Sequence, residues 1–266
     1  MQVSEDFIAE VDEFHGFLKT LKEENWLQKT GFREWTPWDV VAHLHFFDEL
    51  SLAALEGLDA FGREKRAVMK SFFFGMTTQE IAEKKYDDLN PERLVSKWQE
   101  TAHILGQALG KADPKGRLPW FGPGMGVRMF TTGRYMETWA HAQEVYDLVS
   151  VERPQNDRIK NVVTIGVKTF GWTFQNRRKK PPGEMPYLKL SAPSGEMWEW
   201  GTPNEDSSVI GSAFEFCQVV TQVRNILDTS LQLKGNVANE WMSIAQCFAG
   251  PPVDPPEKGT RGPHKG

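Results

Sequence analysis

Apolar residues recur every three or four positions over residues 3–21. Phe7, Ile8, Val11, Phe14, Leu18 and Leu21 fall on one stripe and predict an amphipathic helix. Thr36-Pro37-Trp38-Asp39 opens a second helix. Threonine caps it, proline suits its first position, and Asp39 complements the positive end of its dipole. This helix is expected to run to about Leu55 and stop near Gly57. Residues 57–88 read as broken helical pieces, with a short helix starting at Thr77 or Thr78. Asn90-Pro91-Glu92 repeats the cap-plus-proline signal and starts a helix to about Leu109. The stretch PKGRLPWFGPGMG is too rich in proline and glycine for a helix, and predicts an irregular loop carrying Trp120, Phe121 and Met125. A further helix is expected over about 130–149.

The pattern changes after Pro154. A helix over about 156–176 gives way to the basic, proline-broken linker NRRKKPPGEMP. Tyr187-Leu-Lys-Leu and Met197-Trp-Glu-Trp flank a Pro-Ser-Gly turn and alternate as a β-hairpin does. Helices are expected at about 213–223 and 240–248, with a strand near 230–233. The fold class is therefore α+β: a four-helix bundle over residues 1–152 and a smaller α+β domain over 153–252. The Pro/Gly-rich segment 253–266 is expected to be disordered.

Composition narrows the function classes. The chain of 266 residues carries 31 Lys+Arg against 36 Asp+Glu, a net charge of −5 that argues against a dedicated nucleic-acid partner. Two cysteines, Cys217 and Cys247, cannot build a disulfide framework or a zinc-thiolate cluster. No basic-then-apolar leader opens the chain and no apolar run is long enough to cross a bilayer. These features predict a cytoplasmic protein with a small-molecule substrate, no membrane partner and, as an open alternative, a homodimeric assembly. Aromatic residues reach 12%, with 10 Trp and 17 Phe, enough to line a pocket as well as fill a core.

Only six histidines are available for chemistry. The strongest local pattern is Arg134-Tyr-Met-Glu137-Thr-Trp-Ala-His141. Glu137 and His141 are four apart in a helical segment, so both leave one face and can chelate a divalent metal if a third ligand arrives from another helix. That ligand should come from Val40-Val41-Ala42-His43-Leu44-His45. His43 shares its face with Val40, Phe47 and Leu50 and points inward, whereas His45 shares its face with Trp38, Asp48 and Glu49, which reads as more solvated. His43 is the better candidate, with His45 an alternative ligand or a donor to Asp48. Arg134 could pair with a substrate carboxylate or with Glu137. The Trp120–Met125 loop could wall a pocket above the metal or simply pack as a crossover. His15 reads as packing, His103 has no evident partner and His264 lies in the tail. Arg177-Arg178-Lys179-Lys180 reads as a solvated linker, and Cys217 as a buried packing thiol.

At these residues the chain resembles a known family. WTPWDVVAHL, residues 35–44, resembles the WT-x-x-D-V-x-x-H-L motif of the DinB/YfiT-like metalloenzyme superfamily. More narrowly, it resembles the branch containing the mycothiol-dependent maleylpyruvate isomerases. LPWFGPGM followed by R-x-M-E-T-W-A-H-A-Q-E-V resembles a metal-binding subgroup of that branch. SAPSGEMWEWG, EFCQVVTQVR and SIAQCFAGPP resemble that subgroup's C-terminal half, related to a wyosine-base-formation-type region. The resemblance implies a DinB-like four-helix bundle with one divalent metal held by His43, Glu137 and His141. Zinc is the usual ion; nickel, iron or manganese suit the same ligands. The chain departs from the family pattern in having Ala142-Gln143-Glu144 for Gly-Gln-Asp. It also has Thr221-Gln222-Val223-Arg224 where two arginines are commoner, which weakens any transfer of an arginine role to Arg224.

The function so implied is a metal-dependent transferase or isomerase in which a small thiol cosubstrate attacks a small electrophile. Arg134 and Arg224 are candidates for anionic groups, and Trp120 and Met125 for the wall around thiol and substrate. The alternatives are a hydrolase with metal-activated water, using Asp48, Glu49 or Glu144 as base, and a non-catalytic metal-binding protein with His45 or Asp48 as fourth ligand.

Overall fold

This computed structural model describes residues 1–262. The chain divides into two compact units, Met1–Ala142 and Gln143–Gly266. The division falls inside a helix, before the change in composition near residue 153.

The first unit is helical: α1 (Gln2–Leu18), α2 (Pro37–Glu56), α3 (Leu58–Phe73), α4 (Thr78–Tyr86), α5 (Pro91–Lys111) and α6 (Val127–Leu148), the last of which continues into the second unit. The cap signals act as the sequence predicts. Thr36 accepts from the Asp39 backbone N–H while the Asp39 carboxylate accepts from Thr36, and Thr77 and Glu80 reciprocate in the same way before α4. Asn90 caps α5 through the Arg93 N–H. Gly57 ends α2 at φ 118°, a conformation that side-chain-bearing residues rarely adopt.

α2 is the central helix, packed by α3, α4 and α5, while α1 packs on α5. Tyr135 of α6 donates to Glu10 of α1, and Arg134 of α6 bonds Asp48 of α2. The bundle is thus α1, α2, α5 and α6, with α3 and α4 laid against α2. Two expectations change here. Residues 58–73 form one continuous helix rather than broken pieces, because Phe61 and Val68, seven apart, give it a narrow buried seam. His45 and Asp48 are buried, not solvated, because α4 and α5 cover the face of α2 that carries them. Between α5 and α6, β1 (Arg117–Leu118) pairs antiparallel with β2 (Met125–Gly126), so the expected irregular loop is the tip of a short hairpin.

The second unit holds a four-stranded sheet in the order β4-β3-β5-β6: β3 (Tyr187–Ser191), β4 (Met197–Trp200), β5 (Ser208–Ser212) and β6 (Gln232–Lys234). β3 and β4 form the predicted hairpin, with Ser191 opposite Met197. β5 lies parallel to β3, and β6 antiparallel to β5. Helices α7 (Lys160–Lys168), α8 (Phe170–Asn176), α9 (Ala213–Val220) and α10 (Asn236–Ile244) complete the unit. The single helix expected over 156–176 is two, divided at Thr169. Leu188, Leu190, Val209, Phe216 and Trp241 form the core. Cys217 and Cys247 are both buried. The segment 253–262, which composition marks as disordered, makes hydrogen bonds: Val253 and Pro256 carbonyls accept from Gln222 and Asn225, and Gly259 donates to Asp228. His264 lies outside the described residues. The architecture as a whole is α+β, and no helix among the described residues is long and apolar enough to cross a membrane.

Candidate metal centre

His43 reaches the site from α2, and Glu137 and His141 from adjacent turns of α6. Glu137 Oε2 lies 3.4 Å from His141 Nε2 and 4.0 Å from His43 Nε2. The two imidazole rings are 4.7 Å apart, and one ligand atom from each residue falls within 4.8 Å of the others. Among the described residues these are the three that could hold a metal ion together.

Aromatic rings enclose the imidazoles. Trp35 stacks on His141 at 5.6 Å and tilts against His43 at 5.0 Å. Phe32 meets His141 edge-on at 5.1 Å, and Phe47, one turn beyond His43, packs on His43 at 4.7 Å. The turn before α2 makes this possible. The Thr30 N–H bonds the Trp35 carbonyl, with Arg33 and Glu34 between them at φ 52° and 59°. Two successive non-glycine residues in the left-handed region cost about 1–3 kcal/mol each. The surroundings must hold them there, and the turn so formed brings Phe32 and Trp35 to the histidines. Sequence reasoning missed Phe32; the signal available was its spacing of three from Trp35.

Electrostatics favour the ligand forms of His43 and Glu137. Burial pushes the His43 pKa well below its usual value, with His141, Arg134 and Arg33 acting in the same direction, so the imidazole is neutral. Burial pulls the Glu137 carboxyl upward, but the hydrogen bond and charge of His141, with Arg134 behind them, hold it below the usual range as a carboxylate. The buried Nδ1 of His43 has no hydrogen-bond partner. Two imidazoles and one carboxylate make a donor set suited to a divalent transition ion, with coordination left over. The residues fit the group.

Around this centre the structure disposes of the remaining candidates. Arg134 turns to neither Glu137 nor open solvent: it donates to Asp48 at 2.9 Å and reaches the Leu44 carbonyl. Asp48 also accepts from Trp98 Nε1 at 3.1 Å, and is fully buried. Burial raises the Asp48 pKa, against the pull of Arg134 and Trp98. His45 stacks on Tyr86 at 4.8 Å, and burial lowers its pKa to about 4. Glu49, 3.8 Å from His45, accepts from Tyr86 and Lys85. His103 bonds Asp12 at 2.7 Å, supplying the partner the sequence did not reveal.

The hairpin tip lies beside Phe47: Trp120 is 6.3 Å and Phe121 6.4 Å from its ring. Trp120 also stacks on Phe61 of α3, and Lys65 donates to the Phe121 carbonyl. Met125 sits in β2 at the base of the same hairpin, paired with Leu118. In the second unit Arg224 makes a bidentate pair with Asp147, both bonds 2.6 Å. Glu144, buried there, accepts from Arg261 at 2.8 Å.

Residues 7–146 match the family model of the mycothiol maleylpyruvate isomerase N-terminal domain. Two curated relatives from Mycobacterium tuberculosis strains, the uncharacterized proteins MT0041 and Rv0036c, are each 34% identical over 250 residues, 93% of this chain and 95% of theirs. Among solved structures, the mycothiol-dependent maleylpyruvate isomerase is similar with a TM-score of 0.52 at 15% identity, over 82% of this chain and 87% of that one. A point mutant of that enzyme gives 0.53 at 13% identity over the same shares. At these identities the likeness is one of fold.

Proposed function

The chain belongs to the mycothiol maleylpyruvate isomerase N-terminal domain family, and from that premise we propose a metal-dependent enzyme that uses a low-molecular-weight thiol to isomerise or S-conjugate a small electrophile. The observation that carries this reading is the His43–Glu137–His141 cluster, three donors from two helices with coordination left open. A divalent ion bound there, zinc first and nickel, iron or manganese after it, supplies Lewis acidity that favours thiolate over thiol near neutral pH.

The chain's own residues do the rest. His43 and His141 present imidazoles whose rings pack against Trp35, Phe32 and Phe47. A thiolate adds to a conjugated double bond, forming a C–S bond as the electron pair moves onto the substrate's carbonyl oxygen. Rotation about the new single bond and expulsion of the same thiolate give the isomer; retention of the C–S bond with protonation gives the conjugate. Trp120 and Met125 on the hairpin are the proposed wall for thiol and substrate. Arg134, held by Asp48, is assigned to positioning the ligand helices. An anion at Arg224 must compete with the Asp147 pair.

A hydrolase needs a free general base. In the first unit Asp48 and Glu49 are both bonded elsewhere, which counts against that reading. A closed structural site needs a fourth ligand, and His45 and Asp48 turn to Tyr86 and Arg134 instead. The test is elemental analysis of the purified chain, with turnover of electrophilic substrates measured with and without mycothiol, bacillithiol or glutathione. Metal at one equivalent and thiol-dependent turnover are expected; turnover surviving metal removal, or needing no thiol, overturns the proposal.

A further inference from the structure

Helix α3 carries two apolar seams. The inner one, Phe61 and Val68, is buried. The outer one is not: Leu58 is 78%, Met69 48% and Phe73 85% exposed, and Phe74 just past the helix is 70% exposed. At about 100° per residue, Leu58, Met69 and Phe73 fall within about 60° of arc, and Arg66, Lys70 and Arg63 occupy roughly the next 80°. Phe72, Phe73 and Phe74 are consecutive at the helix end, where Phe73 and Phe74 pack edge-on at 5.6 Å and otherwise face outward. Exposed aromatic surface of this extent costs solubility and marks an interaction site.

Charge selects the occupant. Residues 63–77 hold four cations, Arg63, Lys65, Arg66 and Lys70, against a single Glu64, in a chain whose net charge is −5. A two-fold contact between copies through this seam would set Arg66 and Lys70 near their own counterparts, a like-charge arrangement.

We propose that the C-terminal half of α3, with Phe73, Phe74 and Met69 entering the acyl boundary and Arg63, Arg66 and Lys70 meeting headgroup phosphates, attaches this protein to anionic lipid surfaces. Apolar residues on one arc and Lys/Arg beside them are what an interfacial helix requires, and an interfacial helix lies on a bilayer without crossing it. The sequence expectation of no membrane partner rested on the lack of a spanning segment, which this mode does not need. The cations are too few to bind strongly alone, so attachment depends on the phenylalanines together with the anionic charge.

The full chain is tested by flotation with vesicles of phosphatidylcholine alone and of phosphatidylcholine with phosphatidylglycerol. Binding to the anionic vesicles only, weakened by salt, is expected. Phe73→Ser with Phe74→Ser should lower the partition coefficient about ten-fold or more. Arg66→Glu with Lys70→Glu should abolish the preference for phosphatidylglycerol. All four side chains are exposed, so unchanged circular dichroism and melting temperature should show the variants folded. Absence of vesicle binding, or equal partition of the native chain and the phenylalanine variant, overturns the proposal. So does a concentration-dependent dimer, broken by the phenylalanine variant, in a chain that ignores vesicles.

Discussion

Four of the buried or half-buried carboxylates show two kinds of place in the molecule. In the second unit Asp147 has Arg224 and Glu144 has Arg261, each within hydrogen-bond distance. In the first unit Asp48 has Arg134 and Trp98. Glu137, one turn along α6 from Arg134, has instead two imidazoles, at 3.4 and 4.0 Å. Burying a carboxylate is costly unless a cation or several donors compensate it. Three carboxylates are therefore matched by guanidinium groups in place, and the fourth is arranged with two imidazoles, as a site awaiting a cation would be. The contrast separates ion pairs inside each unit from a cluster that could hold a metal ion.

The largest expected effect falls on the exception. His43→Ala and Glu137→Ala should each weaken metal binding by about 100-fold or more, since each removes one of three donors and second-shell losses alone reach 10–100-fold. Elemental analysis after dialysis against a chelator measures this. Full metal in both variants would dissolve the distinction between Glu137 and the paired carboxylates.

Next come the pairs themselves. Arg134→Met leaves Asp48 buried without its cation and should destabilise the chain by about 3–5 kcal/mol in urea unfolding. Because Arg134 also reaches the Leu44 carbonyl next to His43, metal affinity should fall with it, by about 10-fold. Arg224→Met should cost about 3–5 kcal/mol in the same way, with metal affinity unchanged. If both variants lower metal affinity equally, Arg134 has no special relation to the ligands. Recovery of stability in Arg134→Met with Asp48→Leu would show that the unpaired charge was the cause.

How far the sequence reveals this depends on what kind of signal each part uses. Helix starts rest on side chains beside their own backbone, so Thr36 and Asn90 were legible as caps and Thr77 as one of two candidate starts. The triad was legible because Glu137 and His141 share a face by spacing, and His43 by its apolar neighbours Val40, Phe47 and Leu50. α3 was not, since its inner seam has only Phe61 and Val68, and exposed apolar residues blur its period. β5 was missed because Ser208–Ser212 carries just Val209 and Ile210 between small residues, and its pairing with β3 is nonlocal. His45 was misplaced because burial by α4 and α5 is a tertiary fact that one helix's own pattern does not contain. The Asp48–Arg134 pair spans 86 positions and leaves no local trace.

A smaller effect should appear with pH in the second unit. Burial raises the Glu144 pKa to about 7, with Asp147 adding and Arg261 and Arg224 opposing. A carboxyl with a raised folded pKa keeps its proton after the unfolded chain has lost its own. Its contribution to stability therefore declines as pH rises from about 4.5 to about 7. Glu144→Gln should flatten that part of the profile of urea midpoints, and Arg261→Ala should steepen it by removing an opposing charge. A profile unchanged by Glu144→Gln would mean that this carboxylate is matched as fully as Asp147 is.

The smallest expected effect tests the comparison from outside. His103 bonds Asp12 at 2.7 Å, so an imidazole and a carboxylate meet there as they do at Glu137. The environments differ: the His103 and Asp12 side chains are 33% and 48% exposed, where water screens the pair, and the further donor to Asp12 is the amide of Gln99. His103→Ala should cost no more than about 0.2–1 kcal/mol and leave metal content unchanged by elemental analysis. Loss of metal in that variant would show that an imidazole near a carboxylate is enough by itself. Retention would show that an exposed imidazole–carboxylate pair is not enough, and that the enclosure by Trp35, Phe32 and Phe47 sets the three-residue cluster apart.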